Sequence, residues 1–152
     1  MDHLVYCNGK SKVLEKILSG TKTMIIRGAA DRKLPYGRVF EGETLYFIKN
    51  RGYGLIEGKA TVKSVFNSEK ITEDESKKLI SENMSKLDLS ELQVQRWVGK
   101  NYICLVEIED VEKVEMHLKF KYQKTMEDWV IIENVSSVVE NPNERYNSLK
   151  YK

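Results

Sequence analysis

The chain has 152 residues, a length that suits one domain around one core. Hydrophobic residues make up 41% and charged residues 32%, an ordinary globular balance, and no apolar run approaches the ~20 residues needed to span a bilayer. The net charge of +2 is unevenly spread: residues 1–65 hold twelve Lys/Arg against six Asp/Glu, residues 66–112 six against eleven, and residues 113–152 seven against six. A basic front and an acidic middle direct an anionic partner to the N-terminal half; the alternative is that solvated surfaces are simply charged.

The opening MDHLVYCNGKSK has an acid at Asp2 and no apolar core, so it does not read as a signal peptide. Residues 11–19 read as a short helix with Ser11 as N-cap. Val13, Leu14, Ile17 and Leu18 share a face, and Gly20 supplies the left-handed stop. Thr23-Met24-Ile25-Ile26-Arg27 reads as a strand. Residues 28–42, GAADRKLPYGRVFEG, form a long connection with a Pro-Tyr-Gly turn signal. Loops of this length in small domains are uncommon and often functional.

Residues 43–49 read as a strand and Asn50-Arg51-Gly52 as a turn. Residues 53–66 read as one long strand or two, broken near Gly58, with the inward face undecided. A second helix is expected over 72–86, with Thr72 and Glu75 as a capping box and Glu73 and Asp74 at the positive end of the dipole. A third spans 90–98, with Ser90 and Gln93 as its box, Gly99 as its stop, and Leu92 and Trp97 facing the core. Residues 101–109 read as a buried strand, with further strands at 111–116 and 128–133. Residues 1–140 are expected to be one domain and 141–152 a loose tail. The many short strands with non-local pairing predict an α+β fold built on a small mixed β-barrel with two to three helices.

Several residues carry chemistry. Cys7 and Cys104 are far apart in apolar surroundings and are expected as buried, reduced thiols in a cytoplasmic protein. With only His3 and His117 beside them, they form no zinc pattern. Trp129 lies in an apolar strand and reads as core. Glu107 and Glu109 share a strand face that reads as solvated. Asn50-Arg51-Gly52-Tyr53-Gly54 is not a nucleotide loop, and no cofactor motif is present. Arg32, Lys33, Tyr36 and Arg38 mix cations with an aromatic, which suits backbone contact plus base stacking. The same residues also fit a solvated loop with Tyr36 packed against the barrel.

Residues 17–27 read Ile-Leu-Ser-Gly-Thr-Lys-Thr-Met-Ile-Ile-Arg, which resembles the signature of the ASCH domain, a branch of the PUA-like superfamily. Gly20, Lys22 and Arg27 fit its Gly, Lys and Arg. Gly42-Glu43 before a strand, and Gly58-Lys59-Ala60-Thr61-Val62, are similar to later family features. The stretch IIRGAADRKLPYGRV is also similar to a little-characterised archaeal PUA-like family.

The resemblance implies binding of RNA, or of a modified nucleobase or nucleotide, in a basic cleft at the barrel mouth. Lys22, Arg27, Arg32, Lys33, Tyr36 and Arg38 would line it. An ammonium and a guanidinium there suit phosphate or carboxylate; equally, Lys22 could be solvated and Arg27 paired to a carboxylate within the fold. One branch of the family is a small amidohydrolase acting on acylated cytidine-type nucleosides. It uses a Lys, a Thr three residues later and a distant Glu. Lys22 matches the Lys, but Ile25 stands where the Thr belongs and has no oxygen to offer as nucleophile or acid/base. A third alternative is a protein-interaction domain in which the acidic helices around 73–91 meet a basic partner.

Overall fold

In the computed structural model, residues 1–9, 11–49, 54–118, 128–137 and 139–140 are described. The turn expected at Asn50-Arg51-Gly52 and the tail expected from Asn141 lie outside them.

The strands are β1 (Asp2–Cys7), β2 (Met24–Ala29), β3 (Thr44–Lys49), β4 (Leu55–Asn67), β5 (Tyr102–Leu118), β6 (Trp129–Ile132) and β7 (Val139–Glu140). They form one sheet in the order β2-β5-β4-β3-β1-β6, with β7 pairing the far end of β5. The β1–β3 pair is parallel and the other pairs are antiparallel. The sheet is therefore mixed and curled, a half-barrel whose end strands are β2 and β6.

Strand β1 is not foreseen from the sequence. It lies between β3 and β6, and both its faces are covered: His3, Leu4, Val5 and Cys7 are all buried. A strand buried on both faces shows no period-two alternation to detect. His3 is tolerated there because both its ring nitrogens are engaged. The Trp129 indole N–H donates to His3 Nδ1 at 3.1 Å, and Nε2 lies 2.9 Å from Glu43 Oε1. An indole nitrogen can only donate, so Nδ1 is the unprotonated nitrogen and Nε2–H donates to Glu43.

Strand β5 runs unbroken for 17 residues where the sequence reads as two strands. Asp110, at φ +53, sits where the β4–β5 register shifts, so the strand bends through a bulge without ending. On β4, Ile56, Gly58, Ala60 and Val62 are the buried positions, which settles its inward face. Gly58 does not break that strand. A Cβ there would come within 3.0 Å of Leu18 Cδ2, so the glycine lets the first helix seat against the sheet.

The helices are α1 (Val13–Ser19), α2 (Glu73–Glu82), α3 (Met84–Leu87) and α4 (Glu91–Trp97). Ser11 does not cap α1. Its side chain gives no cap bond, Lys12 takes the N-cap position at φ +53, and the Ser11 N–H donates to Asn8 Oδ1. Gly20, at φ +86, ends the helix as expected. The expected 72–86 helix is two, because Asn83 leaves helical geometry and its Nδ2 donates back to Leu79 O at 2.9 Å. Both capping boxes form. Leu92 is 76% exposed rather than core. Lying five positions before Trp97, it is not among the i, i+3 and i, i+4 pairs that share a helix face.

Val13, Leu14 and Ile17 of α1 fill the hollow of the curled sheet with Ile25, Leu45, Phe47, Val62, Val106 and Trp129. Ile80, Leu87 and Trp97 of α2–α4 cover the outer side of β2 and β5 at Met24, Ile26, Ile103 and Leu105. Cys7 and Cys104 are buried and unpaired with each other. No helix among the described residues is long and apolar enough to cross a membrane.

Candidate functional site

Where β2 runs out as an end strand, five segments meet around a cavity of about 490 Å³. Arg27, Gly28 and Ala29 come from β2, and Lys33, Leu34 and Tyr36 from the long loop. Arg96, Trp97 and Lys100 come from the end of α4, and Tyr102 and Asp128 complete the wall. Gly28 keeps this packing close: a Cβ there would stand 3.1 Å from Lys100 Cβ and 3.3 Å from Tyr102 O. Four cations and one carboxylate therefore share a wall with three aromatic rings.

Arg27 is the hinge of this wall. Its Nη2 donates to Tyr6 O on β1 at 3.1 Å and its Nη1 to Ile26 O at 2.8 Å. Its Nε lies 3.2 Å from Asp128 Oδ2, close enough for an ion pair but without hydrogen-bond alignment, so the buried Nε proton has no acceptor. The guanidinium lies between two indoles, with Cζ 6.0 Å from the Trp97 centroid and 5.7 Å from that of Trp129. Burial holds the Arg27 pKa below its ordinary value, while Asp128 opposes that shift. One residue thus ties end strand β2 to β1 and to the residue that precedes β6.

Arg96 is half exposed. Its Cζ stacks 4.5 Å over the Trp97 ring, and its Nη2 lies 3.7 Å from the same Asp128 Oδ2. Asp128 therefore serves two arginines with one oxygen, while its backbone carbonyl accepts from Tyr6 N at 3.0 Å.

Behind Arg27 lies a second chamber of about 50 Å³, sharing Arg27, Arg96, Trp97 and Asp128 with the larger cavity. Lys22 opens on this chamber and is only 2% exposed. Its Nζ donates to Leu87 O at 2.5 Å. Burial, then the charges of Arg27 and Lys16, pushes its pKa down to about 8. Lys22 is neither the solvated lysine of one sequence reading nor a residue of the open cleft.

Of the six residues singled out in the sequence, Arg27, Lys33 and Tyr36 line the larger cavity together. Tyr36 is pinned rather than loose. Its hydroxyl donates to Ser68 O, and its ring meets Tyr102 edge-on with centroids 5.7 Å apart. Arg32 lies over the Tyr102 ring at 5.3 Å, outside the lining. Arg38 is exposed on the loop and lines neither chamber. Arg96, Lys100, Tyr102 and Asp128 are the lining residues that sequence reasoning missed. The only local signal was the run Arg96-Trp97-Val98-Gly99-Lys100, where cations flank a tryptophan at a helix stop.

The remaining candidates fall elsewhere. Trp129 is 1% exposed and is core, as expected, although its face supports Arg27. Glu107 is partly exposed and paired, holding Lys86 Nζ at 3.0 Å and accepting from Ser64 Oγ at 3.2 Å, whereas Glu109 is exposed. The Cys7 and Cys104 thiols are each pushed up to about 12 by burial, which keeps them protonated and inert. Ile25 is buried in the main core beside α1. Among the described residues, no group of three His, Cys, Asp or Glu comes together to hold a metal ion.

No protein-family model matches the chain, and no curated protein matches it in sequence. Solved structures do match. The ASCH crystal structure from Zymomonas mobilis superimposes with a TM-score of 0.67 at 14% identity, covering 91% of this chain and 96% of that one. A serine-to-alanine variant of that protein gives 0.67 at 15% identity over 90% and 91% of the two chains. A tyrosine-to-phenylalanine variant gives 0.67 at 14% identity over 91% and 99%. Near-complete coverage in both directions, with the mixed curled sheet and its helices already described, identifies the architecture: this chain has the PUA-like fold of the ASCH domain.

Proposed function

We infer that the protein binds a nucleotide unit, free or within RNA, in the cavity between β2, the long loop and the end of α4. The observation that carries this reading is the lining itself, with Arg27, Lys33, Arg96 and Lys100 interleaved with Tyr36, Trp97 and Tyr102 around about 490 Å³. Cations that meet phosphate beside aromatic faces that meet a base are the general means of holding unpaired nucleotides. A cavity of this size is also in the range that small ligands occupy.

The test is anisotropy of a labelled mixed-sequence RNA pool, titrated at low and moderate salt with wild-type protein and with Arg96→Ala/Lys100→Ala. Arg96 is exposed and Lys100 half-buried, and circular dichroism of the double variant checks that the fold is kept. The expected result is affinity that falls with salt and is at least tenfold weaker in the double variant. Binding that ignores both salt and the two substitutions would sink the reading. A nucleoside monophosphate titrated by calorimetry separates a free-nucleotide site from one that needs the polymer.

A second reading, cleavage of an acylated nucleoside amide, is favoured by Lys22, a buried amine brought to about pKa 8 beside the ligand cavity. It requires turnover of an N-acyl cytidine that is lost in Lys22→Met while binding persists. Turnover unaffected by Lys22→Met removes it.

A further inference from the structure

The two arginines that line the cavity are already engaged, because Asp128 Oδ2 lies between them, 3.2 Å from Arg27 Nε and 3.7 Å from Arg96 Nη2. We propose that the Asp128 carboxylate occupies the seat of a ligand's phosphate, and that displacing it makes the site selective for a terminal, dianionic phosphate over an internal phosphodiester. The proposal rests on the nucleotide-binding reading above and names the ligand class within it.

Three features of the geometry support this. The Asp128 side chain is 39% exposed and lines both chambers, so it can swing to solvent without unpacking the core. Its backbone stays anchored meanwhile through Tyr6 N. The Arg27 Nε proton is buried and lacks an acceptor, because Asp128 lies near it without pointing at it. A carboxylate at this spot therefore balances the charge but leaves a donor unused. A tetrahedral phosphate, with more oxygens, can take the Arg27 Nε proton and the Arg96 fork together.

The selectivity follows from charge. Exchanging one monoanion for another, the carboxylate for a phosphodiester, gains little in Coulomb energy at the arginines. Exchanging it for a phosphate monoester places close to two negative charges where one stood, next to Arg27 and Arg96 and within the cavity that Lys33 and Lys100 also line. Asp128 thus acts as a threshold that a terminal phosphate passes more readily than an internal one. It is a specificity-determining residue that competes with the ligand for the same cations.

The experiment is calorimetric titration of the full chain with a nucleoside 5′-monophosphate and with its methyl phosphodiester, using wild type, Asp128→Asn and Arg96→Ala. Wild type is expected to bind the monoester at least tenfold tighter than the methyl ester. Asp128→Asn should tighten both and raise the diester more, so that the ratio shrinks severalfold. Arg96→Ala should weaken both. Equal wild-type affinities overturn the proposal on their own, even if Asp128→Asn fails to fold. Weaker binding of both ligands by a folded Asp128→Asn also overturns it, since the carboxylate would then be a contact to the ligand. No binding of either ligand by any of the three proteins overturns the proposal, and the salt-dependent RNA titration then decides separately whether the nucleotide reading beneath it stands.

Discussion

The two chambers on either side of Arg27 share four wall residues and differ in what they do with positive charge. In the larger one the cations Lys33, Arg96 and Lys100 reach toward solvent, and Arg96 rests on an indole face. In the smaller one Lys22 is sealed in, and its described hydrogen bond goes to one backbone carbonyl. The same residue type is therefore cheap to charge on one side and costly on the other. Burial moves the Lys22 amine toward its neutral form. The wall between the two is Arg27, which stays charged although buried because a carboxylate, two carbonyls and two aromatic faces surround it.

Breaking that wall should have the largest effect. Arg27→Ala removes two hydrogen bonds to backbone, the ion pair with Asp128 and the packing between Trp97 and Trp129. Loss of a buried, paired charge of this kind costs about 3–5 kcal/mol. Chemical denaturation should show it, and a loss under ~1 kcal/mol would mean that the two sheet ends do not depend on this residue.

Next comes Lys22→Met, which deletes the buried charge at nearly constant volume. Folding lowers the Lys22 pKa from 10.5 to about 8. Below pH 8 both folded and unfolded chains carry the proton, and the full cost of burying it, of order 3 kcal/mol, is present. Between pH 8 and 10.5 the folded chain releases the proton while the unfolded chain keeps it, so wild-type stability rises with pH. The advantage of Lys22→Met over wild type should therefore be greatest at neutral pH and shrink toward pH 10. A constant difference across that range would show that the ammonium is solvated.

Gly28→Ala should be smaller. Its methyl would press on Lys100 Cβ at 3.1 Å and on Tyr102 O, costing about 1–2 kcal/mol and narrowing the larger cavity. A melting temperature unchanged from wild type would show that the Lys100 side chain yields freely. Smallest in stability is Arg96→Ala, expected within ~0.5 kcal/mol of wild type because the side chain is exposed, while ligand affinity falls. That separation of stability from binding is what distinguishes the outer chamber from the inner one.

The sequence exposes these two regions unequally. Lys22 and Arg27 fall in one short stretch beside Gly20; the helix stop and following strand are local features that periodicity reports, but the two residues stand out through the resemblance of that stretch to the ASCH signature. The long loop is likewise legible from its Pro-Tyr-Gly turn and its length. Arg96, Lys100, Tyr102 and Asp128 are brought to Arg27 only by sheet order, since β2 pairs with β5 and β6 comes round beside β1. Nothing in their spacing records that closure. Trp97 reads as core from helical spacing and is core, at 5% exposed, yet its ring edge also walls the cavity. Hydrophobic pattern does not separate those two roles. Lys22 is the reverse case: a lysine reads as surface on composition, and only the fold reveals that α3 and α4 close over it.

The indole of Trp129 is held to a neutral His3 and carries no exposure to speak of, whereas Trp97 borders open space with a guanidinium on its face. The protein thus contains two buried indoles, of which Trp97 alone lines the cavity. Trp129 lines neither chamber and is fixed in the interior by its bond to His3 Nδ1, which burial keeps toward the neutral form and which protonation of that nitrogen would forfeit. A ligand entering that space would meet the Trp97 indole and not the Trp129 indole, so a change in intrinsic fluorescence on binding is expected to come from Trp97.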